Sequence, residues 1–232
     1  MEIYQEKKYS QWVDKVCLYL EKHGPKINCT SSAFQSKPVL DKSPDVVFLG
    51  YNAHEEDGFY GVNKERFYMG NPSFYKERYT NLWKVWYKPY EAFKWTNYLN
   101  PVTDGNFVFM NIIYWGSHDI RQFKALPDSS FHIDTCVYYT AEVIHEVFKP
   151  KCVVCFSIPD CFKLLDSKFQ FQQVQTITPT IYGGAPAKHS VTKGMWNGIP
   201  IYGIPHPSGK ISYDDWGGIA MYLKEEMQKL NI

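Results

Sequence analysis

Asp45-Val46-Val47-Phe48-Leu49-Gly50-Tyr51-Asn52 places four apolar residues in a row, then a glycine and an amide. Side chains alternate faces along a strand, so an unbroken apolar run marks a strand covered on both faces, as in a parallel sheet between helices. Three further runs share this character: Phe107 to Ile113, Val153 to Phe156 and Ile199 to Ile204. Each is short and rich in β-branched or aromatic residues.

Helical patterns lie between and around them. Residues 10–23 carry Trp12, Val16 and Leu20 four apart, with Ser10 as a cap and Gly24-Pro25 as a stop. Residues 131–148 and 214–230 follow the 3.6-residue period, and Ser157 can cap a helix running to Leu165. The aromatic, basic stretch 74–99 reads as one or two helices broken at Pro89. Alternating strands and helices predict a single α/β domain over residues 1–232. Its expected form is a three-layer α/β/α domain with a central four-stranded parallel sheet.

Composition narrows the classes. The chain has 232 residues, 44% of them hydrophobic, and 25 Lys plus Arg against 24 Asp plus Glu, a net charge of +1. Long disorder needs low hydrophobicity and high charge, and a membrane span needs about 18 apolar residues in a row; neither pattern is present. Near-neutrality excludes a uniformly basic nucleic-acid coat but leaves room for a local basic patch. The six cysteines (Cys17, Cys29, Cys136, Cys152, Cys155, Cys161) suit a reduced, cytoplasmic setting. Cys152 and Cys155 form a C-x-x-C, but within a strand residues three apart point to opposite faces, which opposes shared metal ligation.

In open parallel sheets, ligands bind outside the carboxyl ends of the strands. At those ends stand Asn52 with His54, Asn111, Ser157, and His206-Pro207-Ser208-Gly209. Polar groups there are costly to bury unless paired or used by a ligand. Each also has an ordinary structural role open to it: Asn52 as a turn residue, Asn111 as a paired amide, His206 as a rigid loop residue between two prolines.

Gly50-Tyr51-Asn52-Ala53 resembles the first motif of the uracil-DNA glycosylase superfamily, and His206-Pro207-Ser208-Gly209-Lys210-Ile211-Ser212 resembles its last. Phe109-Met110-Asn111-Ile112-Ile113 is similar to the strand that carries the base-reading Asn. Lys149-Pro150-Lys151-Cys152-Val153-Val154 resembles the lead into a later strand. The blocks occur in the family's order across residues 46–212, nearest to the single-strand-selective and mismatch-specific branches with Asn in the first motif. The chain departs at Ala53, where proline is usual, and in the acidic run Glu55-Glu56-Asp57 that follows. The paired cysteines of the iron–sulfur branches are missing.

The resemblance implies a DNA-base glycosylase that hydrolyses the bond to uracil or a related damaged pyrimidine during base excision repair. Asn52 would orient water, Asn111 would read the base, and His206 would donate to its O2. His54 would border the pocket near C5, with Phe67, or Phe59 in reserve, stacking on the base. Ser208 and Gly209 would take a phosphate, and Lys210 or Ile211 would fill the space left by the extruded base. The implied partner is single- or double-stranded DNA, with no membrane, no cofactor and no metal, and the enzyme would work as a monomer. A catalytically inactive nucleic-acid or nucleotide binder of the same fold is the alternative, and an unrelated α/β metabolite enzyme a third reading. The chain lacks G-x-x-x-x-G-K-[ST], G-x-S-x-G and H-E-x-x-H motifs.

Overall fold

The structure, a computed structural model, describes residues 2–55, 58–118 and 120–232. In chain order its elements are α1 (Glu2–Ile27), β1 (Thr30–Ser31), β2 (Val46–Gly50), α2 (Glu65–Met69), α3 (Pro72–Glu77), α4 (Lys84–Trp95), β3 (Phe107–Asn111) and β4 (Trp115–Gly116). There follow α5 (Ile120–Lys124), α6 (Ser129–Glu142), β5 (Cys152–Phe156), α7 (Lys163–Phe169), β6 (Gln172–Ile177), β7 (Val191–Trp196), β8 (Ile199–Ile204) and α8 (Tyr213–Gln228). A π-helical turn, Val143–Phe148, extends α6, and another, Ile158–Phe162, leads into α7.

The fold is mixed α/β. Six strands form a sheet in the order β3-β2-β5-β8-β7-β6. All four expected strands are in it and lie side by side. Pairings β2–β5 and β5–β8 are parallel, with Val46 opposite Cys152 and Val153 opposite Ile201. The expectation of four strands is corrected by β6 and β7, which add an antiparallel edge. Their outer member carries Gln172, Gln173 and Gln175 and is largely exposed, so it has no apolar run to announce it. The β7–β8 turn is Asn197-Gly198, both at positive φ (47° and 85°), the dipeptide that a tight hairpin favours.

Where one domain over 1–232 was expected, the chain divides into two compact units of discontinuous sequence. The first comprises Met1–Ser43, Gly50–Pro72 and Phe109–Lys149. Its core is an aromatic cluster: Trp12 meets Phe34, Phe67 and Tyr114 edge-on, and the Trp12 indole donates to Tyr139 O at 2.9 Å. Helix α1 overruns its predicted limits at both ends and continues through Gly24-Pro25. A proline in the last turn removes one hydrogen bond, and the helix closes instead at Asn28, whose φ is 54°.

The second unit comprises Pro44–Leu49, Ser73–Val108 and Pro150–Ile232. Helices α4 and α8 pack on Phe48, Val154, Phe156 and Ile204, enclosing a small apolar void. Pro89 lies buried in the interior of α4 and lines that void, so the chain does not break there; it breaks earlier, at Thr80, whose hydroxyl caps the next turn. Ser157 fills its expected capping role, its Oγ accepting from the Asp160 N–H at 3.1 Å and donating to Oδ2 of the same residue. Cys152 and Cys155 are fully buried thiols of β5, and burial pushes both pKa values up.

Gly203 in β8 approaches the helix turn closely: a Cβ built there would lie 2.7 Å from Phe162 Cβ, a backbone-proximal atom with little freedom. Gly203→Ala is expected to lower stability by about 1–3 kcal/mol. A urea titration checks this: the midpoint should fall with an unchanged m-value.

Candidate functional site

In the first unit the continuations of two strands stay paired beyond the sheet. Ile112 N–H donates to Gly50 O and Ile113 N–H to Tyr51 O, both at 2.8 Å. This sets Asn52 and Asn111 on neighbouring strand ends. Asn52 is half-buried. Its Nδ2 faces three oxygens: Ala53 O at 3.2 Å, Trp115 O at 3.4 Å and Ser117 Oγ at 3.4 Å. Two of these are carbonyls, which can only accept, so the amide orientation is fixed with nitrogen toward the loop 115–117. Oδ1 takes no hydrogen bond among the described residues and remains an acceptor.

That loop is itself anchored. Ser117 N–H donates to Ala53 O at 3.1 Å, and β1 pairs with β4 through Thr30 and Gly116. Below it, the Trp115 indole N–H lies 3.5 Å from the Tyr19 hydroxyl, which sits 2.7 Å from His132 Nδ1. Burial lowers the His132 pKa and raises that of Tyr19. The Asn52 anchor thus rests on a buried chain of neutral groups. Sequence reading missed Trp115 and Ser117; nothing local in the sequence couples them to a residue more than sixty positions away.

Asn111 is only 2% exposed. Its Nδ2 donates to Ser32 O at 3.1 Å, which uses one of two N–H bonds. Oδ1 accepts nothing from the described residues and lies against Gly50, where a built Cβ would come within 2.9 Å. Gly50 therefore makes room for the Asn111 amide, a physical reason for glycine two residues before Asn52. The second Nδ2–H and Oδ1 take no hydrogen bond from the described residues, on a head that protein encloses almost completely.

In the second unit, His206 follows β8 with its ring reaching solvent. Ser208 N–H lies 3.3 Å from His206 Nδ1, and Ser208 Oγ lies 2.7 Å from it. A backbone N–H can only donate, so Nδ1 is the accepting nitrogen and the neutral ring carries its proton on Nε2. Desolvation by surrounding protein lowers the His206 pKa, with the nearby Asp160 carboxylate partly opposing, and the ring is neutral at pH 7. At the expected phosphate cradle, Ser208 N–H serves His206 and Gly209 N–H donates to His206 O at 2.9 Å. Both donors are spent inside the loop. Lys210 is exposed and Ile211 half-buried; Lys88 of α4 donates to Gly209 O at 3.1 Å.

Phe67, expected as the stacking ring, is a core residue, 3% exposed and edge-on to Trp12 and Phe34. Phe59 is half-buried, set against the bare face of Gly24 and 6.5 Å from Trp115. His54 is exposed and its ring lies 4.7 Å from that of His118. Glu55 pairs with Arg66 at 3.3 Å, while Glu56 and Asp57 of the acidic run lie outside the described residues. A surface groove lined by Lys8, Trp12, Lys15, Glu142 and Glu146 belongs to the first unit but includes none of these site residues.

Searches of protein-family models and of curated proteins return no match to the chain.

The His206 arrangement sets a pH dependence. Its folded pKa lies below the ordinary 6.5, so the unfolded chain binds the proton more readily. This contribution to stability is complete above pH 6.5 and declines as pH falls through the folded value. Long-range ¹⁵N–¹H NMR at pH 7.5 is expected to show His206 protonated at Nε2 with a midpoint below 6.5. A midpoint above 6.5, or the Nδ1–H tautomer, contradicts it.

Proposed function

We propose that the protein is a DNA-base glycosylase that hydrolyses the N-glycosidic bond of uracil or a related damaged pyrimidine. The observation that carries the reading is Asn52: an amide at a strand end, its nitrogen tied by two backbone carbonyls and a serine, its oxygen left as a fixed acceptor. Such an oxygen can orient a water but cannot keep its proton, which suits a reaction needing little nucleophilic push. Glycosidic cleavage passes through an oxocarbenium-like sugar, with negative charge growing on the departing base.

In this reading the target base leaves the stack at a cost of a few kcal/mol. The oxygen of water attacks C1′, the C1′–N1 bond breaks with its electron pair staying on the base, and the proton shed by the attacking water passes through solvent to the departed base. The neutral imidazole of His206 donates from Nε2–H to O2, where the charge develops. A neutral donor avoids the cost of keeping a cation in a partly desolvated site, and its loss would cost about 3–4 kcal/mol of barrier. Asn111 offers an acceptor to N3–H and a donor to O4, a pattern that cytosine does not match.

Uracil-containing oligonucleotides, single- and double-stranded, test this directly by release of free base. Asn52→Ala and His206→Ala are each expected to slow release about 10²–10³-fold while the circular dichroism spectrum is kept. Intact substrate at micromolar wild-type enzyme contradicts the reading. Tight binding of the same oligonucleotides without base release would instead favour the inactive binder.

A further inference from the structure

The second unit carries a surface that the reaction does not use. Helix α4 buries Trp86, Pro89, Ala92 and Phe93 and turns Lys84, Tyr87, Lys88, Glu91 and Trp95 outward, three and four residues apart. Its surrounding segment 73–104 holds five Lys plus Arg against two Glu and Asp104, which pairs with Arg78, a local +2 in a chain of net +1. At the end of this stripe, Trp95 is 51% exposed and Tyr213, the first residue of α8, is 72% exposed. Their rings stand 5.1 Å apart at 57°. Midway, Lys88 holds Gly209 O at 3.1 Å, joining the stripe to the loop that carries His206.

We propose that this face of α4, with Tyr213, is a track for single-stranded DNA flanking the base presented to His206. The two ingredients, cations spaced along a helix and aromatic faces open to solvent, match an anionic backbone bearing unstacked bases. A duplex keeps its bases stacked inside and offers Trp95 and Tyr213 no flat partner. The acidic groups on the face are few: Glu91, 3.5 Å from Lys94 Nζ, and Asp214 in the first turn of α8. The proposal deepens the glycosylase reading and rests on it for the strand being DNA; strand binding itself is measured without uracil.

Fluorescence anisotropy with a labelled, uracil-free DNA of about 12 nucleotides tests it, a length within the usual site size of single-strand binders. Trp95→Ala and Tyr213→Ala are each expected to weaken binding roughly 5- to 150-fold, as loss of one base-stacking ring does. Lys84→Ala should reduce the slope of log affinity against log salt by about 0.7. Asp214→Asn should tighten binding, and Tyr182→Ala, a fully exposed ring on a different loop, should leave it unchanged. Wild-type affinity in both aromatic variants, a preference for duplex, or a preference for RNA overturns the proposal. Uracil release with unaffected strand binding in the variants sinks the track alone. The predicted binding losses without any base release sink the glycosylase reading alone.

Discussion

A strand buried on both faces has room for polar side chains only where it leaves the sheet. Burying an unpaired amide or hydroxyl along its length costs several kcal/mol. Every residue of β2 and β5 is buried, and their chemistry begins at the last position or just beyond, at Asn52 and Ser157. In β3 it begins at the final residue, Asn111. The same rule delivers His206 two residues after β8. The sheet therefore decides where reactive groups can stand before any of them acquires a role.

At these ends the chain spends some hydrogen bonds on itself and leaves others unspent. Asn52 commits its nitrogen and keeps its oxygen. Asn111 commits one N–H. His206 commits Nδ1 to Ser208 and keeps Nε2. Ser157, by contrast, is wholly engaged in capping the turn after β5. Sorting end-of-strand groups by what they have left over separates Ser157, a structural residue, from Asn52, Asn111 and His206, each of which keeps a polar atom that takes no hydrogen bond from the described residues.

Much of this was legible in the sequence because continuous apolar runs and 3.6-residue periods are local signals. The four strands, the Ser157 cap and the face of α8 follow from them. The edge pair β6–β7 was not: its outer strand is glutamine-rich and exposed, although the Asn197-Gly198 turn was a usable sign of a hairpin. The prolines misled because neither ends its helix: Pro25 forfeits one hydrogen bond in a last turn, and Pro89 is held inside α4 by burial against the sheet. In the site, residue types were legible and hydrogen-bond accounts were not. Phe67 and Phe59 look alike in sequence, yet one is core and the other half-buried. Nothing near Ser208 in the chain shows that its N–H is taken by the imidazole two residues back.

The measurement closest to the centre of the account is a titration of ¹⁵N-labelled protein with free uracil, followed through side-chain resonances. The account predicts that the Asn111 amide and the His206 Nε2–H shift with a common affinity, while the Trp95 indole stays still. Saturation without movement of either side chain would contradict it, since the unspent hydrogen bonds of Asn111 and His206 would then have no heterocycle to meet.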